Sequence, residues 1–140
     1  LDDTICDKIF TKKSELQNNC YLRIGVDTNS TSTCNKIDPI NFVVKDQCFG
    51  SIAKNLNDYS ICEFVHFAEN YISCFSSNAL SNNDQSICSK MEKDFFIGLG
   101  YNPKFGCFKD FAVNKNDLSL CEVITPESIR YECQEEIVNS

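Results

Sequence analysis

Apolar residues recur along this chain every three to five positions, and polar turns interrupt them at regular distances. Cys48, Phe49, Ile52, Ala53 and Leu56 are followed by Ile61, Cys62 and Val65, a helical period rather than a strand alternation. The pattern then repeats. CYLRIGVDTNSTSTCNKI from Cys20, CFGSIAKNLNDYSICEFV from Cys48, CFSSNALSNNDQSICSKM from Cys74 and CFKDFAVNKNDLSLCEVI from Cys107 align on an aromatic residue after the first cysteine and on a second cysteine. A small residue (Gly25, Ala53, Ala79, Ala112) recurs five positions after the first cysteine, while Asn78 breaks the apolar pattern in the third copy. Self-similarity at such a period is the signature of stacked repeats.

The cysteines at 6, 20, 34, 48, 62, 74, 88, 107, 121 and 133 form two alternating classes. A leading class sits in D-x-[ST]-x-C-x-x-[apolar], as DDTICDKI at Cys6, DYSICEFV at Cys62, DQSICSKM at Cys88 and DLSLCEVI at Cys121, with Ser30 replacing the aspartate before Cys34. A trailing class carries Tyr21, Phe49, Phe75 or Phe108 next door, and Gln134 after Cys133. The Asp or Ser before each leading cysteine suits a helix N-cap, whose side chain accepts a free N–H of the first turn. Ser60-x-x-Glu63 and Ser119-x-x-Glu122 also fit a capping box, so Asp58 and Ser60 compete for the cap. Proline suits the first position of a helix, where its missing N–H has no partner to lose. Asp38-Pro39, Asn102-Pro103 and Thr125-Pro126 are therefore expected to start trailing helices. The reading is all-α: ten short helices in five αα-hairpins, one solenoid-like repeat domain with units of about 1–28, 29–56, 57–82, 83–115 and 116–140.

Two pairings of the cysteines compete. Leading-to-trailing pairing gives Cys6–Cys20, Cys34–Cys48, Cys62–Cys74, Cys88–Cys107 and Cys121–Cys133. Pairing across the constant interval of fourteen gives 20–34, 48–62, 74–88 and 107–121, and leaves Cys6 and Cys133 to link successive subunits. The first is favoured, because a symmetric antiparallel hairpin sets residues equidistant from its turn within disulfide reach. Each closed loop of about 15 residues is worth roughly 3 kcal/mol in the chain-entropy model, which offsets the small core of a repeat array.

An even number of regularly spaced cysteines with no C-x-x-C pair speaks for an oxidising compartment, hence a secreted or cell-surface protein. The chain begins at Leu1, which we read as a mature form after removal of a leader. A formal net charge of −7, with scattered Lys and Arg, argues against nucleic-acid binding. No apolar run approaches the roughly 20 residues of a membrane span.

Candidate chemistry is sparse. His66, the one histidine, has no cysteine left free to pair with it as a nucleophile and reads as an ordinary helix-surface or half-buried residue. Neither zinc-ligand spacing nor a D-x-[DN]-x-[DN]-G calcium run occurs, and Asp58, Asp84 and Asp117 are assigned to helix capping while Asp27 lies in an Asn-rich turn. No enzyme, cofactor or metal is expected. Asn29-Ser30-Thr31 is an N-glycosylation sequon in a turn expected to be exposed. Phe95, Phe96, Ile97, Leu99, Tyr101 and Phe105 make the connection after Cys88 the most apolar in the chain, either a loop folded over its neighbours or a contact surface.

The alternation D-x-S-x-C-x-x-I … C-[FY]-x-x-[IF]-A resembles the tandem two-cysteine helical repeats of secreted or cell-surface microbial proteins, archaeal ones included. It covers nearly the whole chain, and departs at Ser30, Gln134 and the long fourth connection. The resemblance implies an extracellular helical array and carries no active site with it. A structural or adhesive role follows as the expectation, with the partner a second copy stacked end to end or another cell-surface protein. Solenoids keep their ends polar, yet Leu1, Ile5, Ile9 and Phe10 at one end and Ile129, Tyr131, Ile137 and Val138 at the other are apolar or aromatic. The alternative is a small secreted carrier or inhibitor, with Tyr21, Phe49, Phe75 and Phe108 lining an apolar cavity.

Overall fold

The computed structural model describes residues 2–9, 14–93 and 102–140, without the side chain of Ile9. Among these residues ten helical elements follow one another and no strand occurs. In chain order they are α1 (Thr4–Ile9), α2 (Glu15–Thr28), α3 (Thr31–Asn35), α4 (Phe42–Leu56), the 3₁₀ helix η1 (Tyr59–Phe64), α5 (Ala68–Asn82), η2 (Gln85–Lys90), α6 (Pro103–Lys115), η3 (Leu118–Val123) and α7 (Glu127–Val138). The short elements carry the leading cysteines and the long ones the trailing cysteines. The fold is an all-α array of disulfide-stapled helix pairs.

Each short element begins on a capping side chain four residues before its cysteine. Asp2 accepts the Thr4 N–H at 3.0 Å, Asp58 that of Ser60 at 3.0 Å, Asp84 that of Ser86 at 2.9 Å and Asp117 that of Ser119 at 2.9 Å. Ser30 does the same work in α3, accepting from the Thr33 N–H at 3.3 Å. Asp58, not Ser60, is therefore the cap of η1, and Ser60 donates its hydroxyl to it at 2.7 Å.

The constant interval between repeats has an equally local cause. Four long helices end on an asparagine in the left-handed region, Asn29, Asn57, Asn83 and Asn116, with φ of 52°, 53°, 51° and 53°. Asparagine tolerates this conformation, and the following N–H can then reach back to close the helix end. The amides of Ser30, Asp58, Asp84 and Asp117 donate to the carbonyls of Gly25, Ala53, Ala79 and Ala112 at 2.8, 2.9, 2.9 and 3.2 Å. The residue making this bond is also the cap of the next short element. One turn therefore ends a helix and starts another, which leaves no room for the spacing to vary.

Two proline sites differ from the sequence expectation. Asp38-Pro39 does not open α4. Asp38 accepts the Ile40 N–H on its side chain at 3.1 Å and the Asn41 N–H on its carbonyl at 2.8 Å, a tight turn, and Asn41 caps the helix by accepting from Val44 at 3.4 Å. Pro126 directly precedes α7, whose first turn has no side-chain cap. Asn102-Pro103 does open α6, with Asn102 accepting the Lys104 N–H at 3.0 Å.

The chain divides into two compact units, 1–71 and 72–140, with the boundary inside α5. In the first unit Ile37, Phe49, Ile52, Val65 and Tyr71 are fully buried. Its bridges are Cys6–Cys20 and Cys34–Cys48, each with Cα atoms 5.8 Å apart. A Cβ placed on Gly25 would lie 2.9 Å from Cys48 Sγ and 3.3 Å from Cys34 Sγ, so the end of α2 packs directly on the disulfide of the next hairpin. In the second unit Ala112, Cys121, Ile124, Cys133 and Ile137 form a core, with Phe105, Phe108, Val113, Leu120 and Ile129 packed around it. Its bridges are Cys88–Cys107 and Cys121–Cys133, with Cα separations of 5.6 and 6.0 Å. Cys62 and Cys74 are disulfide-bonded as well, and no cysteine is free.

Candidate functional site

The most concentrated polar site of the first unit lies two residues before a trailing cysteine. Asp46 on α4 is buried, and its carboxylate accepts the backbone N–H groups of His66 and Phe67 at 2.7 and 2.9 Å. Asn70 Nδ2 donates to it at 3.2 Å, and His66 Nδ1 lies 3.0 Å away. Those N–H groups open α5, where the helix dipole also favours negative charge. Four partners leave this carboxylate satisfied, as a buried charge must be. It acts as a clamp between one repeat and the next. Asn18, the corresponding residue one repeat earlier, accepts the Asp38 N–H at 2.9 Å by the same reach of twenty residues.

Exposed aromatic side chains lie against the clamp. Phe42 sits 4.9 Å from the His66 ring and 6.1 Å from Phe67, ring centre to ring centre, and Phe64 stacks on Phe49 at 5.1 Å. Ile40, Phe42, Val43, Phe64 and Phe67 are all exposed. His66 is thus a half-exposed ring held through Nδ1 beside a buried acid, with Phe42 against it. Sequence reasoning treated His66 alone and missed Asp46.

The fifth repeat carries the second feature. In the first four repeats the small residue five positions past the trailing cysteine is buried, whether Gly25, Ala53, Ala79 or Ala112. Its counterpart Val138 is 71% exposed. Two residues before the trailing cysteine, Asn18 and Asp46 are buried and Ile72 and Phe105 half-buried, yet Tyr131 is 56% exposed. Val138 also borders a shallow open groove of about 540 Å³ with Leu118, Ser119, Glu122 and Gln134. Ile129 and Ile137, expected on this outer face, belong instead to the core of the second unit. At the other end of the sequence Ile5 is 48% exposed, where its counterparts Ile61 and Ile87 are buried. Leu1 and Phe10 lie outside the described residues, as do Phe95, Phe96, Ile97, Leu99 and Tyr101 of the fourth connection. Phe105, the remaining member of that expected contact surface, packs against the core.

Tyr21, Phe49 and Phe75 are buried, and Phe108 packs against the second core. Three open concavities of the second unit are lined by other residues. Burial, reinforced by its hydrogen bond to Asp7, pushes the Tyr21 phenol up to about 12. Burial likewise raises the Asp110 carboxyl above its ordinary range, against the Ser76 hydroxyl at 3.3 Å. Among the described residues no group of three or more His, Cys, Asp or Glu side chains could hold a metal ion, and no helix is long and apolar enough to cross a membrane.

The fold defines a class, a disulfide-stapled helical repeat array. No family model, curated protein or solved structure matches the chain.

Proposed function

We propose that this protein is a non-catalytic structural component outside the cell, whose copies associate end to end through the outward face of α7. The exposure of Val138 and Tyr131, at positions that inner repeats cover or half-cover, carries this reading. These two residues are seven apart and so share one helix face. The partner surface is the first repeat of a second copy, where Ile5 is exposed at a position that later repeats bury or half-bury. A contact between two different faces does not close on itself and propagates into a filament. Secretion, a surface location and glycosylation belong to the same reading. The disulfide-bonded state of all ten cysteines supports it, since such bonds persist in oxidising compartments.

Light scattering over a concentration series, with electron microscopy of the same samples, tests the idea. The wild-type protein should grow in mass with concentration and form fibres, and Val138→Asp should leave monomers. A wild-type protein that stays monomeric at high concentration overturns the proposal. A second reading, a protein-binding module, has the exposed pair of Phe42 and Phe67 in its favour. The carrier reading loses support, because the aromatic row that would line its cavity is packed into cores.

A further inference from the structure

Resting on the extracellular reading above, we propose that Asn29 carries an N-linked glycan, and that the first repeat junction is specialised to hold it. The four left-handed asparagines stand five residues before a leading cysteine, so their surroundings compare position by position. After Asn57, Asn83 and Asn116 come Asp-Tyr, Asp-Gln and Asp-Leu; after Asn29 come Ser30 and Thr31. The aspartate cap has become serine, and a hydroxyl residue stands two positions on, which completes the acceptor sequence. Ser30 still caps, through the Thr33 N–H, so the substitution keeps the fold.

The side-chain geometry suits the modification. Asn29 is exposed, and Asn55 Nδ2 donates to its Oδ1 at 3.1 Å, while Asn29 Nδ2 makes no hydrogen bond among the described residues. In the transfer, the amide nitrogen bonds to the anomeric carbon of a lipid-phosphate-linked oligosaccharide. The carbon–oxygen bond to phosphate breaks, the lipid phosphate leaves with the bonding pair, and one Nδ2 proton is released. The Oδ1 carbonyl is untouched, so the bond from Asn55 survives in the product. Transfer to the extended chain during secretion would therefore leave the folded junction intact.

Mass spectrometry of the peptide spanning Asn29, taken from protein secreted by the cells that make it naturally, provides the test. The expected result is a glycan mass on Asn29, lost completely in Thr31→Ala and retained in Thr31→Ser. An unmodified Asn29 in the wild-type protein overturns the proposal. So does a sugar mass that persists in Thr31→Ala, which would place the modification on a hydroxyl. Circular dichroism and thiol counts on Thr31→Ala should match the wild type, which separates loss of the acceptor from loss of the fold.

Discussion

At the scale of single residues, Gly25 lies against the disulfide of the next hairpin and Asp46 against the start of α5. Gly25 is legible as the small residue of a recurring position, and the sulfur atoms 2.9 and 3.3 Å from its would-be Cβ explain why nothing larger stands there. Asp46 was invisible, because its position holds Asn18, Asp46, Ile72, Phe105 and Tyr131 in successive repeats and no common chemistry. Two of its four partners are backbone groups, twenty and twenty-one residues downstream, which composition cannot reveal. The polar pair Asn18 and Asp46, each two residues before a cysteine, was the one available signal. Asp46→Ala removes the acceptor for the His66 and Phe67 N–H groups and for Asn70. A fully buried donor left unsatisfied costs about 1–3 kcal/mol, but these donors are only part-buried and the start of α5 can recover some water, so we expect a loss of about 2–3 kcal/mol for the three together. Urea unfolding should show this as a lower midpoint at unchanged slope, with Asp46→Asn in between. A change in Asp46→Ala within about 0.5 kcal/mol, the range of ordinary surface substitutions, would remove the clamp from the account.

At the scale of elements, helix number and order followed from the apolar period, while helix type and start points did not. Period alone cannot separate a six-residue 3₁₀ turn from a short α-helix, and η1, η2 and η3 are of the former kind. The displaced start of α4 has a clear cause, since Asp38 spends its side chain and carbonyl on a turn before Asn41 can cap. The left-handed asparagines were present in the sequence as Asn-Asp or Asn-Ser pairs, but they looked like generic polar loops. Their role is testable at Asn116, where φ is 53°. An Ala there must adopt a conformation that costs about 1–2 kcal/mol, whereas Gly adopts it freely. Asn116→Ala should therefore lower the thermal midpoint, and Asn116→Gly should leave it nearly unchanged. If the two variants melt together, the turn does not depend on left-handed geometry. The aspartate caps belong to the same scale. Hydrogen bonds from Thr4 hold the Asp2 carboxyl below its ordinary 3.8, and those from Ser86 do the same for Asp84. A carboxyl lowered in the folded state contributes stability that is present above pH 3.8 and fades as pH falls further, so these caps loosen only in strong acid.

At the scale of the whole molecule, repetition told how the chain is built and left open what its outward faces meet. The leading-to-trailing bridges are consistent with hairpin symmetry, because the alternative pairing spans a turn already fixed by the left-handed asparagine and its cap. Function was less legible for a physical reason. A repeat array assigns most residues to neighbour contacts, so its distinctive positions are the few exposed where other repeats cover theirs, and burial rather than sequence identifies them. Val138 and Tyr131 are such positions on α7, and Ile5 is one on α1. Association through two different faces predicts a directional effect. A Val138→Asp chain keeps its first repeat, so it can still add to the α7 face at one end of a growing assembly of wild-type copies. Having added, it presents a charged face and blocks further growth there. One part of the variant in about ten of wild type should therefore shorten fibres well beyond simple dilution, as read by their length distribution in micrographs. Symmetric pairing through α7 predicts instead closed dimers of the wild type and no fibres, with the variant excluded from them. Shortened fibres make the contact heterologous, closed dimers without fibres make the α7 face a dimer interface, and undisturbed fibres take α7 out of the growing contact.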